Sequence, residues 1–228
     1  PRSTLFPYTT LFRSPLIQSF TNVHTALRTD LKMLDSTLKR RWKLNKYELE
    51  RANRWFEFYW TQLAAHHHGE DTYFYPAISK YDANFMPEIE LLTKQHHELD
   101  HLTEELRATY SRAAQLQDGP ELASLTARYA GLIAAIHSCL DLHLAHEEDV
   151  LYSSISKNIP EKEQADLDQA YIKKVPMKEL SLLAPWLLAN MTHQQALEMR
   201  GKVPWFIRFL NDKFWNRKYK ALVATFQL

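Results

Sequence analysis

Apolar side chains recur every three or four residues along most of the chain, which is the spacing of one face of an α-helix. The first such stripe begins after Pro15 and contains Ile17, Phe20, Leu27, Leu31, Leu34 and Leu38. Further stripes predict helices over residues 46–80, 87–117 and 121–156, and the turn sequence Asp118-Gly-Pro120 separates the last two. Four long helices with short connections predict an all-α fold, with an up-down-up-down four-helix bundle over residues 15–157.

Histidine and glutamate replace apolar residues near the middle of every stripe. In chain order these residues are His24, then His66 and Glu70, then His96, then His143 and Glu147. Burying such groups is costly unless something binds them. In helices of similar length and alternating direction they fall at comparable depth, so the pattern indicates a buried metal site. Nitrogen and oxygen ligands without thiolate suit iron or manganese, with zinc as an alternative, and two carboxylates among histidines suit a bridged pair of ions.

Other histidines adjoin this set. His67 follows His66, but the spacing of the stripe favours His66 as the residue of the triplet that points inward. His97 and His101 are one turn apart in the third helix and lie off its apolar stripe. We therefore keep His67 and His101 as less certain ligands, with a solvated position as the alternative for each.

The pattern changes after residue 157. Residues 161–172 predict a short amphipathic helix, residues 184–188 a second short element, and residues 204–226 a helix rich in Trp, Phe, Arg and Lys. An aromatic and basic helix can bind a membrane surface. We favour the alternative, in which the aromatic side chains pack on the outside of the bundle, so that residues 158–228 form a C-terminal helical extension.

Composition narrows the function and location. A formal net charge of +1 gives no indication of a nucleic-acid partner, and no apolar run approaches the ~20 residues that span a bilayer. The single cysteine, Cys139, excludes an internal disulfide and favours a reducing, cytoplasmic location.

Residues 4–14 resemble a sequencing adapter translated in frame, so we expect residues 1–14 not to be native and exclude them from the fold prediction.

The chain resembles the hemerythrin-like (HHE cation-binding) family. The segments that carry this resemblance are His24-Thr-Ala-Leu-Arg28, His66-His-His-Gly-Glu-Asp71, Gln95-His96 and His143-Leu-Ala-His-Glu-Glu148, and they span residues 15–157. The resemblance implies two iron ions bridged by Glu70, Glu147 and an oxo or hydroxo group, with the four stripe histidines as terminal ligands. The tail, with Pro185-Trp186 and its aromatic-basic helix, resembles the extension of some bacterial members.

One departure from the family's oxygen carriers affects the expected function. The carriers have a fifth histidine one turn along the third helix, where this chain has Asp100. Two coordination positions then stay open for water or substrate. We expect a non-haem di-iron protein that binds or responds to O2, nitric oxide or peroxide. The alternatives are a di-iron enzyme with peroxidase-like, catalase-like or small-molecule reductase activity, and iron or zinc storage.

Overall fold

A computed structural model of the chain describes residues 14–41 and 44–226, and every regular element in these ranges is helical. The elements are α1 (Pro15–Arg40), α2 (Lys46–Gly69), a π-helical turn (Glu70–Phe74), α3 (Tyr75–Ile78), a 3₁₀ turn (Ala83–Phe85), α4 (Met86–Ala113), α5 (Pro120–Asn158), α6 (Glu161–Ile172), α7 (Met177–Ala189), α8 (His193–Lys202), α9 (Trp205–Leu210), a second π-helical turn (Asn211–Trp215) and α10 (Asn216–Phe226). The all-α prediction is confirmed. Apart from Ser14, the adapter-like residues 4–14 lie outside the described residues.

The starts of the first two helices follow from local sequence. Ser14 accepts a hydrogen bond from the backbone N–H of Ile17, and Pro15 occupies the first helical position, where its missing N–H costs nothing. The Ser14 hydroxyl also donates to Gln164 of α6. Asn45 and Glu48 form a capping box at the start of α2.

The second predicted helix is less regular than its apolar stripe suggests. It ends at Gly69 and continues through the π-helical turn, in which the Tyr75 N–H bonds to the carbonyl of Glu70, five residues back. Pro76, which lacks an N–H to bond to the residue four back, follows in α3. The π-helical turn lies just before this proline. It begins at Glu70, and π-helical turns inside α-helices are frequent at functional sites.

The four long helices contact one another in a closed ring. Helix α1 packs against α2 and α5, and α4 packs against the same two helices. The C-terminal helices lie on this ring, with α6 and α7 against α1 and α10 against α2. Trp186 of α7 is fully buried in the main core, and its indole N–H donates to Asp30 of α1 at 2.6 Å.

A polar layer divides the apolar core in two. The larger cluster holds Leu27, Leu63, Leu99 and Leu140 of the four long helices, together with Trp186. The smaller cluster, at the other end of the molecule, holds Phe20, Phe74, Leu92, Leu151 and Ile155. Each long helix or its continuation crosses from one cluster to the other. The histidines and glutamates that interrupt the apolar stripes lie at the crossing.

The last helices correct one prediction. Trp215 is buried, as expected for an aromatic side chain that packs on the bundle. Trp205, Phe209 and Phe214 are instead 71%, 50% and 55% exposed, so the packing interpretation is wrong for these three rings. Within the described residues, no helix combines the length and the apolar character that crossing a membrane requires.

Candidate metal centre

The polar layer brings together the six predicted ligands and one further histidine. They are His24 of α1, His66 and His67 of α2, Glu70 of the π-helical turn, His96 of α4, and His143 and Glu147 of α5. Their ligand atoms form two groups, each with all atoms within 4.8 Å of one another. The first group is His24, His66, Glu70 and Glu147, and the second is His67, Glu70, His96 and His143. Glu70 belongs to both groups, which places a carboxylate between two potential ion sites.

The two carboxylates each lie between imidazoles. Glu147 Oε2 is 3.3 Å from Nε2 of His24 and 3.8 Å from Nε2 of His143. Glu70 Oε1 is 2.8 Å from Nε2 of His66, although this pair lacks hydrogen-bond alignment, and its Oε2 is 3.6 Å from Nε2 of His96. Both carboxylates can therefore reach the two groups of histidines, as a bridging ligand must.

The inward atoms of this layer have no hydrogen-bond partner among the described residues. They are Nε2 of the five histidines, both oxygens of Glu70 and Oε2 of Glu147, and all eight are buried. A buried polar atom without a partner costs about 1–3 kcal/mol. Eight such atoms converging on one volume would be a severe penalty in a protein that binds nothing there. A pair of cations would satisfy them, so the residues present fit a dinuclear metal site.

The opposite ring nitrogens of three histidines are held by neighbouring side chains. The pairs are His24 Nδ1 with Glu148 at 2.9 Å, His96 Nδ1 with Asp71 at 3.2 Å, and His143 Nδ1 with Gln95 at 3.0 Å. When Nδ1–H donates to an oxygen, Nε2 carries the lone pair that a metal requires, and the ring orientation is fixed. The structure thus selects the ligating tautomer at three positions.

Burial sets the protonation of the layer. It lowers the pKa of His66 and His67 well below the usual value and that of His143 to about 4, so these imidazoles are neutral at pH 7. Burial and the charge of Glu147 raise the pKa of Glu70 well above its usual value. Burial would also raise the pKa of Glu147, but the facing imidazole of His24, 3.3 Å away, holds it well below normal. Because neutral imidazole and ionised carboxylate are the forms that ligate metal, a metal would displace the proton that burial favours on Glu70.

The two less certain ligands, His67 and His101, lie in different environments. His67 is 5% exposed, and its ring stacks on that of His96 with 3.9 Å between centroids. The structure brings His67 to the layer together with His66, so both neighbours reach it. Positions one residue apart differ by about 100° around a helix, so two of them can straddle the direction of the core. The His101 side chain is 71% exposed beside Glu105, and the structure does not bring it to the layer.

Tyr75 also touches the layer, and the sequence pattern did not single it out. Its ring is fully buried, and its hydroxyl donates to Glu147 Oε1 at 2.8 Å. Burial and the charge of Glu70 raise the pKa of this phenol well above its usual value, so it remains a donor. The sequence feature that could have identified Tyr75 is its position five residues after Glu70, which matches the i→i+5 hydrogen bond of a π-helix.

One comparison with known proteins agrees with this geometry. The family model described as the hemerythrin HHE cation binding domain matches residues 16–153, which is more than half of the chain and includes all seven residues of the layer. No curated protein and no solved structure gives a significant match to the chain. Seven nitrogen- and oxygen-bearing side chains without a thiolate suit the metal binding, typically of iron, that this domain implies. The chain belongs to the hemerythrin HHE cation-binding domain family.

Proposed function

We propose that the polar layer holds two iron ions bridged by Glu70 and Glu147. His24 and His66 would be terminal ligands of one ion, and His67, His96 and His143 of the other. The convergence of eight buried, unpartnered ligand atoms carries this proposal. With nitrogen and oxygen donors only, manganese and zinc are the competing metals.

The scaffold of this site is, in our proposal, an up-down-up-down four-helix bundle over residues 15–157 with residues 158–228 as an extension. The closed ring of contacts among α1, α2, α4 and α5 supports the bundle. The burial of Trp186 in the core of those helices supports close packing of the extension.

The function that this site supports best is binding of, or response to, O2, nitric oxide or peroxide. An iron pair held there would supply reversible redox chemistry and an open coordination position. Five imidazoles in place of four would reduce the expected number of open positions from two to one. His24, Glu70, His143 and Glu147 are fully buried, so only a very small ligand can enter without unfolding the layer. Phe20 packs edge-on to His24 and His66 and excludes water, while the hydrogen bond from Tyr75 orients Glu147.

Metal content tests the site. Anaerobic loading with ferrous iron, followed by desalting and metal analysis, should give two irons per chain. His143→Ala and Glu147→Ala should each lose most of this iron, because each removes a ligand from the layer. His101→Ala, at an exposed histidine of α4, is the matched control and should retain it. Iron content that is unchanged in both layer variants would place the metal elsewhere.

Reaction of the reduced protein with oxygen separates the three functions. A visible spectrum that appears with oxygen and reverses on its removal supports ligand binding. Irreversible oxidation with continued consumption of peroxide supports an enzyme. Loading well beyond two irons per chain supports storage.

For the location we propose the cytoplasm, supported by the single free cysteine, Cys139.

A further inference from the structure

The segment from α9 to the start of α10 carries a row of exposed rings. We define the aromatic surface as Trp205, Phe206, Phe209 and Phe214, which are 71%, 43%, 50% and 55% exposed. Ring centroids lie 6.4 Å apart between Trp205 and Phe206, and also between Phe209 and Phe214. Single exposed apolar residues are ordinary, but four large rings within ten residues form a patch of the kind that marks an interaction site.

The second π-helical turn brings these rings into one row. Trp205 and Phe209 are four residues apart and share a helix face. Phe214 comes five positions after Phe209, a spacing that would place the two rings on different faces of a regular α-helix. The N–H of Asn216 bonds to the carbonyl of Asn211, five residues back, so the turn contains an extra residue. This insertion places Phe214 next to Phe209.

The opposite side of the same segment is fixed to the protein. Ile207, Asn211 and Trp215, spaced by four, are all buried, and the ring of Tyr219 packs against Phe58 of α2 with 5.9 Å between centroids. The exposed rings are therefore held outward by a firmly packed helix face. They are not the result of a detached helix.

Exposed lysine and arginine side chains adjoin the aromatic surface. Lys213, Arg217, Lys218 and Lys220 are exposed, and Arg217 and Lys218 fall one turn beyond Phe214. The only acidic residue between 204 and 226 is Asp212, and Arg200 holds both of its oxygens at 2.8 and 2.6 Å. The segment thus presents four apolar rings, one cation just before the last ring and three cations after it, with its one carboxylate already paired.

We propose that this aromatic surface and its adjoining cations bind the surface of an anionic lipid bilayer. Rings of this size insert at the boundary between headgroups and acyl chains, and lysine and arginine attract anionic headgroups. A protein partner would fit less well, because protein interfaces are depleted in lysine. The contact is peripheral and would place the metal-binding bundle against a membrane without a spanning helix.

Flotation with lipid vesicles tests the proposal on the full chain. The protein should float with vesicles of phosphatidylcholine and phosphatidylglycerol, should not float with phosphatidylcholine alone, and should be released by high salt. The triple variant Trp205→Ser, Phe209→Ser, Phe214→Ser should need at least about tenfold more anionic lipid for half-maximal binding. Lys213→Glu with Lys218→Glu should weaken binding in the same way. Absence of binding to the anionic vesicles would overturn the proposal.

Two controls exclude general effects of composition. Leu142→Ser changes another exposed apolar residue, 72% exposed on α5, and should leave vesicle binding unchanged. Lys94→Glu with Lys157→Glu matches the change of charge at other exposed sites and should reduce binding much less. Circular dichroism and iron content should be the same in all variants, which separates this surface from the metal site.

Two other outcomes would show that the lipid assignment is wrong. In one, the triple ring variant converts a dimer to a monomer in sedimentation. In the other, the cations bind DNA and the rings are not needed for this binding.

Discussion

At the residue scale, the Nδ1 atom of each of three layer histidines contacts a side chain that is the sequence neighbour of another layer residue. Asp71, which holds His96, follows Glu70, and Glu148, which holds His24, follows Glu147. A residue next to an inward position lies at the edge of the helix interface, where it meets the adjacent helix. One short motif can therefore supply a ligand and orient the ligand of a neighbouring helix. This explains why the polar residues cluster in pairs.

His67 is the residue whose role the proposed coordination tests most directly. His67→Leu keeps the bulk of the side chain and removes Nε2, so one ion should lose a terminal ligand. We expect iron affinity to fall by about 10–100-fold or more, since even an outer partner of a ligand contributes that much. Competition with a chelator of known affinity measures the change.

His68→Leu is the control for this substitution. The side chain is adjacent in sequence but exposed, and the substitution is chemically identical. It should leave iron affinity unchanged. Equal affinity in the two variants would mean that four imidazoles, as the stripe alone predicts, complete the site.

The sequence predicts the ligands that occupy stripe positions and little else in the site. His24, His96 and His143 stand where a core leucine belongs, so periodicity alone identifies them. His67 and Tyr75 depend on the rotation of α2 and on the π-helical turn, and an ideal period of 3.6 residues places both off the stripe. The pairing of Gln95 with His143 depends on side-chain rotamers across two helices, which no local pattern contains.

At the scale of elements, the junction of α2 with the π-helical turn depends on one glycine. A Cβ on Gly69 would lie 2.3 Å from the hydroxyl oxygen of Tyr171 and 2.8 Å from its ring carbon Cζ. Tyr171 of α6 cannot move freely, because its ring packs on Phe74 with 4.7 Å between centroids. Close contact with the extension therefore requires glycine beside Glu70.

Gly69→Ala should lower the free energy of unfolding by about 1–3 kcal/mol, the usual cost of an overpacked contact. Gly131→Ala is the matched control, since a Cβ at this exposed position of α5 meets nothing within 4 Å. It should stabilise the helix by about 0.5–1 kcal/mol through propensity. Urea denaturation of both variants measures the difference in sign. A stabilising Gly69→Ala would show that α6 does not lie against this turn.

The contact between α1 and α7 predicts a pH dependence. Burial raises the pKa of Asp30 from 3.8 to about 6, opposed by the hydrogen bond from Trp186. Between these values the folded protein keeps a proton that the unfolded chain releases, so ionisation destabilises the fold as pH rises from about 4 to 6. Asp30→Asn removes the charge and retains an oxygen to accept from Trp186. At pH 7.5 the variant should be more stable by up to ~3 kcal/mol.

Denaturation of the two proteins across the same pH range provides the check on Asp30. The gain in stability of Asp30→Asn should disappear near pH 4, level off above pH 6, and be absent from a variant at exposed Asp166. A gain that is constant with pH would assign the effect to packing and not to the buried charge.

At the scale of the whole molecule, the polar layer lies between two apolar clusters that share the same long helices. Leu99 and Leu92 of α4, for example, belong to different clusters and flank His96. Neither cluster can separate from the layer without moving a helix that the other cluster holds. We therefore expect metal binding to be coupled to the stability of the entire fold, in contrast to a site on a surface loop.

Removal of the metal should consequently lower the melting temperature of the whole protein in one transition. A ligand present at 1,000 times its Kd stabilises by ~4 kcal/mol, which for a chain of this length is a shift on the order of 10 °C. Calorimetry of the iron-loaded and chelator-treated protein measures it. Glu147→Ala should melt at the same temperature with and without iron, because its layer no longer completes the site. A shift of equal size in that variant would show that iron stabilises the fold through surface histidines, and the buried layer would then be a polar core without a metal.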